Sequence, residues 1–447
     1  MLFMNTYLTK VYVKLENKYP NQYEYLNAVK QFLLSINDYV ESIDDLEQLN
    51  IIERIVEPDR IISFKVPWVD DNGNVQVNVG WRVQHSNLLG VYKGGIRFSK
   101  DVNESIIKFL AFEQTFKNSL SELPLGGAKG GSDFNPLNKS DLEIMRFSQN
   151  FMRELYKHIG PDIDVPAGDL GVSAKEVGYL YGMYKKLTST HNPTFTSKGL
   201  SFGGSLLRPE STGYGICYVT EKALNTYFND SIKNKKVIIS GAGQVGINTA
   251  RKAKELGAKV IAISCLKGVL YNEDNLDLDL ISKLNSSKDE LDVYLEKYPN
   301  TKYFKNPKDI WKIKADIAIP CATQNELDES DAKTLIDNGL KMLVEGANKP
   351  STDKAIEKFI KNKVLFIPSK AANTGGVSVS SLEMHQNATT SKWSAEEVDS
   401  KLKVIMGNIF DNIYETAKEI NNIYNLEKAA NIASFKKIYE AMKAQGV

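Results

Sequence analysis

Hydrophobic residues change period several times along the chain, and each change marks an element. Over residues 1 to about 55 they recur at helical spacing, with Tyr25, Val29, Phe32, Leu33 and Ile36 on one stripe, which predicts helices with a packing or subunit-contact face. From Ile61 to Val83 the pattern becomes alternation, ISFKVPW and VQVNVGWRVQ on either side of Asp71-Asn72-Gly73, and predicts a hairpin. Asp101 to Leu120 returns to the helical period, with Ile106, Leu110, Glu113, Lys117 and Leu120 on one i+4, i+3 stripe. A further helix is expected from Ser140 to His158, capped by Ser140 ahead of the acidic first turn Asp141 and Glu143.

The second half of the chain follows another rhythm. Val237 to Ser240 reads as a short buried strand, GAGQVG follows with Gly241, Gly243 and Gly246, a helix runs to Leu256-Gly257, and Val260 to Ile263 reads as a second strand. A glycine fingerprint between strand and helix, closed by another strand, predicts a dinucleotide-binding βαβ unit. Its glycines admit the pyrophosphate, and the helix N-terminus offers amide donors. The acid expected after the second strand is replaced by Ser264-Cys265-Leu266-Lys267, so no carboxylate repels a 2′-phosphate and Lys267 attracts one. NADP is therefore the expected cofactor, with NAD the alternative. Ile317 to Pro320, Met342 to Val344 and the segment at Phe366 read as later strands of the same parallel sheet, with CATQNEL and EGANKPS at carboxyl ends where ligands bind. Residues 368–387 read as a glycine and serine junction, and Glu396 to Ala444 as an amphipathic helical tail that returns to the first domain.

Composition narrows the function more than the fold. A chain of 447 residues divides into two or three domains. The formal charge of +1 gives no electrostatic footing for nucleic acid or an anionic membrane, and no apolar run approaches a membrane span. The first twenty residues carry no secretory pattern. Cys217, Cys265 and Cys321 are odd in number and far apart, which suggests reduced thiols and a cytoplasmic setting, an organellar matrix being the alternative. The four histidines have no metal-ligand spacing, so no metal is expected and the chemistry falls to lysines and carboxylates.

Three lysines and one aspartate stand out. In LPLGGAKGGSDF, residues 123–134, four glycines crowd around Lys129 without the spacing of a P-loop. Alone, that stretch is equally a mobile surface loop with a solvated lysine. Asp169 sits between Gly168 and Gly171 in DIDVPAGDLGVS, as turn former or as catalytic carboxylate. Lys117 lies near an inward face, paired with Glu113 or turned to a ligand. With Lys93 in YKGGIRF they precede a nucleotide domain, and the chemistry that needs them is hydride transfer on a small acid bearing one or two carboxylates. Lysines pair with carboxylates, and a lysine in a crowded positive site has a lowered pKa suited to proton transfer.

The motifs YKGGIRF, FEQTFKNSL, LPLGGAKGGSDF, DVPAGDLGV, GLSFGGSLLRPESTGYG, PCATQNEL, EGAN and NTGGVSVSSLEM resemble, in order and over nearly the whole chain, those of the hexameric glutamate dehydrogenases of the Glu/Leu/Phe/Val dehydrogenase superfamily. The resemblance implies an α/β protein with an N-terminal substrate-binding and oligomerisation domain, residues 1–205 with 425–447, a Rossmann-like dinucleotide-binding domain, residues 206–424, and an active site in the cleft between them. It implies reversible oxidative deamination of L-glutamate to 2-oxoglutarate and ammonium in a homohexamer serving ammonium assimilation. Lys93 and Ser380 would hold the distal carboxylate, and Lys117 with Gln114 the α-carboxylate. Ala167, Thr196 and Val377 would shape the pocket, Lys129 would polarise C2, and Asp169 would shuttle protons. Thr212, Asn348 and Arg208 would lie near the nicotinamide, and Gly241, Gly243, Gln244, Val245, Gly246, Ser264, Lys267, Ala322 and Asn373 would complete the cofactor set. Gln244, Gly246, Lys349, Cys265 and Lys267 depart from the usual family residues, while Leu137 and the base-poor NSSKDEL, residues 285–291, keep NAD as the alternative. A catalytically silent nucleotide-binding scaffold would be expected to lack Lys129 or Asp169, and both are present.

Overall fold

The computed structural model describes residues 4–190, 193–274, 276–286 and 291–446, so most of NSSKDEL lies outside the described residues. There are two compact units: Met1–Leu206 with Ser380–Ser394 and Asn431–Val447, and Leu207–Val379 with Ala395–Ala430. These limits differ from the expected ones chiefly at Ser380–Ser394, which joins the first unit. Local bonding accounts for this. Glu383 accepts from the Ser197 amide and pairs with Lys198 Nζ at 2.7 Å, and Gln386 donates to Ser205 Oγ at 2.9 Å.

The first unit is built on a five-stranded sheet of β1 (Arg60–Val69), β2 (Val75–Ser86), β3 (Tyr92–Phe98), β4 (Gly127–Ser132) and β5 (Asp164–Gly168), in the order β1-β2-β4-β3-β5. The alternating segments form the expected antiparallel hairpin, closed by Gly73 at φ +82°. Trp68 and Phe98 pack on Phe147 and Phe151 of helix Asp141–Leu155 and on Leu180 and Tyr184 of helix Ala174–Thr188. Helix Glu104–Leu120 sets Ile107 and Ala111 against Val83 on the opposite face. That helix buries Ile107, Ala111, Phe112, Thr115 and Phe116, whereas Ile106, Leu110, Glu113 and Lys117 of the expected stripe are half-buried. The shift has a cause in packing: Phe116 stacks on Phe32 of helix Tyr23–Val40, with ring centroids 4.0 Å apart, while the next face meets the sheet. Ser140 and Glu143 form a full capping box, but helix Asp141–Leu155 tightens into a 3₁₀ turn over Tyr156–His158.

The glycine-rich stretch around Lys129 is no surface loop. Gly127–Ser132 is the central strand β4, buried throughout, antiparallel to β2 and parallel to β3. A Cβ on Gly127 would stand 1.9 Å from Thr115 Oγ1, and one on Gly131 2.7 Å from the Arg97 carbonyl. Glycine is required because a helix and a neighbouring strand already occupy that space.

The second unit is a seven-stranded sheet of β6 (Lys236–Ser240), β7 (Lys259–Cys265), β8 (Gly268–Tyr271), β9 (Lys302–Phe304), β10 (Ile317–Pro320), β11 (Met342–Val344) and β12 (Leu365–Ile367), ordered β12-β11-β10-β6-β7-β8-β9. Strands β12 to β7 in that order are parallel, as expected, and β8 and β9 add an antiparallel edge. Its core gathers Ile238, Ile261, Trp311, Leu343 and Phe366. Residues 368–387 are helical rather than a junction, as Ser369–Ala372 and Gly375–Ala388. Glycine suits that helix start because a Cβ on Gly375 would lie 2.1 Å from the Ser211 carbonyl. The tail forms helices Ala395–Glu419 and Leu426–Gln445. Among the described residues, no helix is long and apolar enough to cross a membrane.

Candidate active site

Lys129 and Asp169, forty residues apart in sequence, meet in the first unit. Lys129 Nζ lies 3.2 Å from Asp169 Oδ1, and Arg97 Nε donates to Asp169 Oδ2 at 2.7 Å. Strand pairing explains the meeting: Ile96 of β3 lies opposite both Gly130 of β4 and Gly168 of β5. Burial favours the neutral amine and lowers the Lys129 pKa, although Asp169 opposes the shift. Burial also pushes the Asp169 carboxyl up, but Lys129 and Arg97 outweigh it and hold the group at about 2. At neutral pH Asp169 is a carboxylate clasped by the Arg97 guanidinium and the Lys129 amine.

Lys93 is buried on β3, and its Nζ donates to Thr196 Oγ1 at 2.9 Å. The Thr196 amide donates to Pro166 O at 3.0 Å, which ties that segment to the end of β5 beside the buried Ala167. Gln114 donates to Asn118 Oδ1 at 2.7 Å, and Asn118 donates to the Lys93 carbonyl at 3.2 Å. A Cβ on Gly94 would stand 1.6 Å from Ala128 O and 3.4 Å from Gln114 Cγ, so β3, β4 and helix Glu104–Leu120 converge there. Lys117 is half-buried one turn beyond Glu113 on that helix. Ser380 is buried on helix Gly375–Ala388, one turn before Glu383. Beneath the cluster, Arg82 Nε donates to Asp164 Oδ2 at 2.8 Å and its Nη1 to the Gly94 carbonyl at 3.0 Å, with both side chains of the ion pair fully buried. Such a pair is costly to break by removing one partner.

In the second unit the fingerprint glycines do three different things. Gly241 adopts φ +82° at the tip of β6, and a Cβ on Gly246 would stand 1.8 Å from the Gly241 carbonyl. Gly243, the N-cap of helix Gln244–Glu255, has no atom of the described residues within 4 Å of its Cβ position. The donors and the space fit a dinucleotide pyrophosphate. Ser264 Oγ accepts from the Gly241 amide at 3.3 Å, and Gln244 donates to Pro209 O at 3.0 Å. Val245 follows on the first turn of that helix. Lys267 Nζ donates to the Leu284 carbonyl at 2.9 Å. β6 lies between β10 and β7, a switch in strand order that opens a crevice at the carboxyl ends. Ala322 stands at that edge, its Cα 2.8 Å from the Cβ position of Gly241. Asn373 Nδ2 donates to Asn348 Oδ1 at 2.8 Å, and Gly376 comes within 2.9 Å of Thr212 Oγ1 and 3.5 Å of Arg208, measured from its Cβ position. Val377 follows, half-buried. Glu345 accepts from the Ser351 and Ser369 amides at 3.2 and 3.0 Å, and burial pushes its carboxyl up to about 7.

A family model described as Glutamate/Leucine/Phenylalanine/Valine dehydrogenase matches residues 203–446, and one described as the Glu/Leu/Phe/Val dehydrogenase dimerisation domain matches residues 58–186. The chain belongs to the Glu/Leu/Phe/Val dehydrogenase family. It is 51% identical over 443 residues to an NAD(P)-specific glutamate dehydrogenase of Xylanibacter ruminicola, covering 98% of this chain and 99% of the relative. It is likewise 51% identical to an NAD-specific glutamate dehydrogenase of Bacteroides fragilis, with the same coverage. The crystal structure of Plasmodium falciparum glutamate dehydrogenase superposes with a TM-score of 0.94 at 45% identity, covering 99% of this chain and 95% of that one. The two-domain α/β architecture is that of the family.

Within the first unit, Lys129 with Asp169 and Lys93 with Thr196 are joined directly, and Gln114 reaches Lys93 through Asn118. In the second, Gly241, Ser264 and Ala322 form one group and Asn348 with Asn373 another. The sequence reading overlooked Arg97 and Glu383. Arg97 was recoverable, since Lys93, Gly95 and Arg97 share one face of a strand at i, i+2 and i+4.

Proposed function

We propose that this chain catalyses the reversible oxidative deamination of L-glutamate to 2-oxoglutarate and ammonium, with NADP as cofactor and NAD as the alternative. The observation that carries the reading is Lys129 Nζ at 3.2 Å from Asp169 Oδ1, an amine and a carboxylate held together in a desolvated site. Lys93, with Ser380, takes the distal carboxylate of the substrate, and Thr196 yields the amine it now occupies. Lys117, with Gln114, takes the α-carboxylate, while Ala167 and Val377 line the pocket. Two carboxylates at the ends of a five-carbon chain need two separate anchors, which favours glutamate over apolar amino acids.

In the oxidative direction Asp169 accepts a proton from the substrate ammonium. Lys129 then steadies the oxygen that develops at C2 as water adds, and both groups relay protons while the carbinolamine collapses. A bound nicotinamide supplies the hydride acceptor. Gly241, Gly243, Gln244, Val245 and Gly246 would hold its pyrophosphate, Ser264 and Lys267 the adenine ribose, and Arg208, Thr212, Ala322, Asn348 and Asn373 the remainder. The NAD(P)-specific and NAD-specific relatives support both cofactors, and the dimerisation domain supports self-association, which we read as a homohexamer working in the cytoplasm.

Initial rates of NADPH and, separately, NADH oxidation with 2-oxoglutarate and ammonium test the reading. A preference for NADPH is expected. An NADH preference keeps the reaction and removes Lys267 from cofactor choice. No oxidation of either by folded, nucleotide-binding protein would leave a silent scaffold.

A further inference from the structure

The turn that carries Asp169 is locked to β3. The Phe98 amide donates to Leu170 O at 2.9 Å, and Asp169 and Val172 exchange backbone bonds at 3.2 and 2.9 Å. Gly95 lacks a side chain where a Cβ would come within 2.8 Å of Asp169 Cβ. Two residues further along the same strand face, Arg97 Nε meets Asp169 Oδ2 at 2.7 Å while Lys129 Nζ stands 3.2 Å from Oδ1. Each oxygen of one carboxylate is therefore held by a different basic side chain from a different strand.

We propose that Arg97 is a positioning residue: it fixes one oxygen of Asp169 so that the other faces Lys129, and it acts on proton transfer through that carboxylate. The inference rests on the glutamate dehydrogenase reading of this site. The charged groups around Asp169 are Arg97 from β3 and Lys129 from β4, and beyond Lys129 lies Arg82 of β2, paired with Asp164 of β5. Arg97 favours the ionised carboxylate and disfavours the protonated amine of Lys129. Its loss has one sign for each group. The carboxylate then takes up a proton at higher pH, and the Lys129 ammonium keeps its proton to higher pH. A merely structural prop would move neither.

The test uses Arg97→Gln and Arg97→Lys in the full chain, with nucleotide affinity and melting temperature as controls on folding. In Arg97→Gln, kcat for glutamate oxidation is expected to fall about tenfold or more while KM stays within about threefold, and the acid limb of the rate profile rises by about 1–3 pH units. Arg97→Lys keeps the charge and loses the planar guanidinium, so its acid limb stays near that of the wild type while kcat remains several-fold low. A readout independent of activity is reductive methylation of Lys129 across pH, followed by mass spectrometry, whose midpoint should rise in Arg97→Gln. An unchanged acid limb with an unchanged methylation midpoint overturns the proposal. So does a loss confined to KM, which would make Arg97 a substrate-binding group. Wild-type protein inactive on glutamate would overturn the functional reading alone, and the methylation midpoint would still decide the role of Arg97. Should Arg97→Gln fail to fold, a wild-type kcat in Arg97→Lys overturns the proposal.

Discussion

Glycine crowds two places in this chain, and the two use it in opposite ways. In β4 the missing side chains are replaced by protein: Thr115 stands where a Gly127 side chain would start, at 1.9 Å, and the Arg97 carbonyl does the same for Gly131, at 2.7 Å. In the turn after β6, Gly246 is closed in by the Gly241 carbonyl at 1.8 Å, but among the described residues nothing comes within 4 Å of the Gly243 Cβ position. One run of glycines draws strands and a helix together until a lysine is trapped in the middle of a sheet. The other leaves a bare patch of backbone at a helix N-terminus, where an anion gains amide donors. A count of glycines cannot separate a packed strand from an open cradle. The neighbours decide.

The largest effect should come from the trapped lysine and its partner. Lys129→Ala and Asp169→Asn are each expected to lower kcat by about 10²–10⁴-fold, the range over which positioned acid–base groups act. Nucleotide affinity should persist in both, because the fingerprint turn belongs to the other compact unit. Steady-state rates with a parallel fluorescence titration of NADPH separate the two quantities. Substantial activity in both variants would remove the acid–base pair.

A matched pair of glycine substitutions then tests the contrast itself. Gly127→Ala drives a Cβ to 2.6 Å from Thr115 Cα, a backbone atom that cannot swing aside, and overpacking of this kind costs about 1–3 kcal/mol. Gly243→Ala meets no atom of the described residues within 4 Å at a φ of −76° that alanine accepts, so stability should stay within about 0.5 kcal/mol. Its cost should appear in NADPH affinity, about tenfold weaker, since the pyrophosphate must approach that backbone. Thermal melts and Kd measurements on both variants should give opposite patterns. Equal loss of stability in the two would mean that the turn is packed like β4.

The same contrast explains what the sequence could and could not disclose. The hairpin was legible because β1 and β2 alternate, and the nucleotide unit because its fingerprint sits between a strand and a helix, as β6 and helix Gln244–Glu255 bear out. Strand β4 was illegible, because GAKGGS has neither alternation nor strand propensity and its extended form is imposed by β2 and β3. Helix Gly375–Ala388 was hidden in the same way, since glycine and serine are poor helix formers and its start is fitted to Ser211. Lys93, Lys129 and Asp169 were found by residue type among glycines. Arg97 was readable only as a strand neighbour of Lys93, and its meaning lies in its bond to Asp169, in a turn seventy residues away.

The smallest effect is expected at Lys267, where the cradle meets the adenine ribose in our reading. Its amine already donates to the Leu284 carbonyl at 2.9 Å, so a 2′-phosphate must compete for a donor that is engaged. It is half-buried rather than sealed, and partly exposed ion pairs contribute about 0.2–1 kcal/mol, which corresponds to a change of no more than about fivefold. Lys267→Ala should therefore raise KM for NADPH by a few fold and leave KM for NADH unaltered. A loss of about a hundredfold with NADPH alone would mean that the lysine leaves Leu284 and grips the phosphate directly, making it the main determinant of cofactor choice. Equal KM values for both cofactors before and after the substitution would mean that Ser264, with no charge to repel a 2′-phosphate, is sufficient for either nucleotide, and that the basic side chain serves only to fasten the end of β7 to helix Leu278–Ser286.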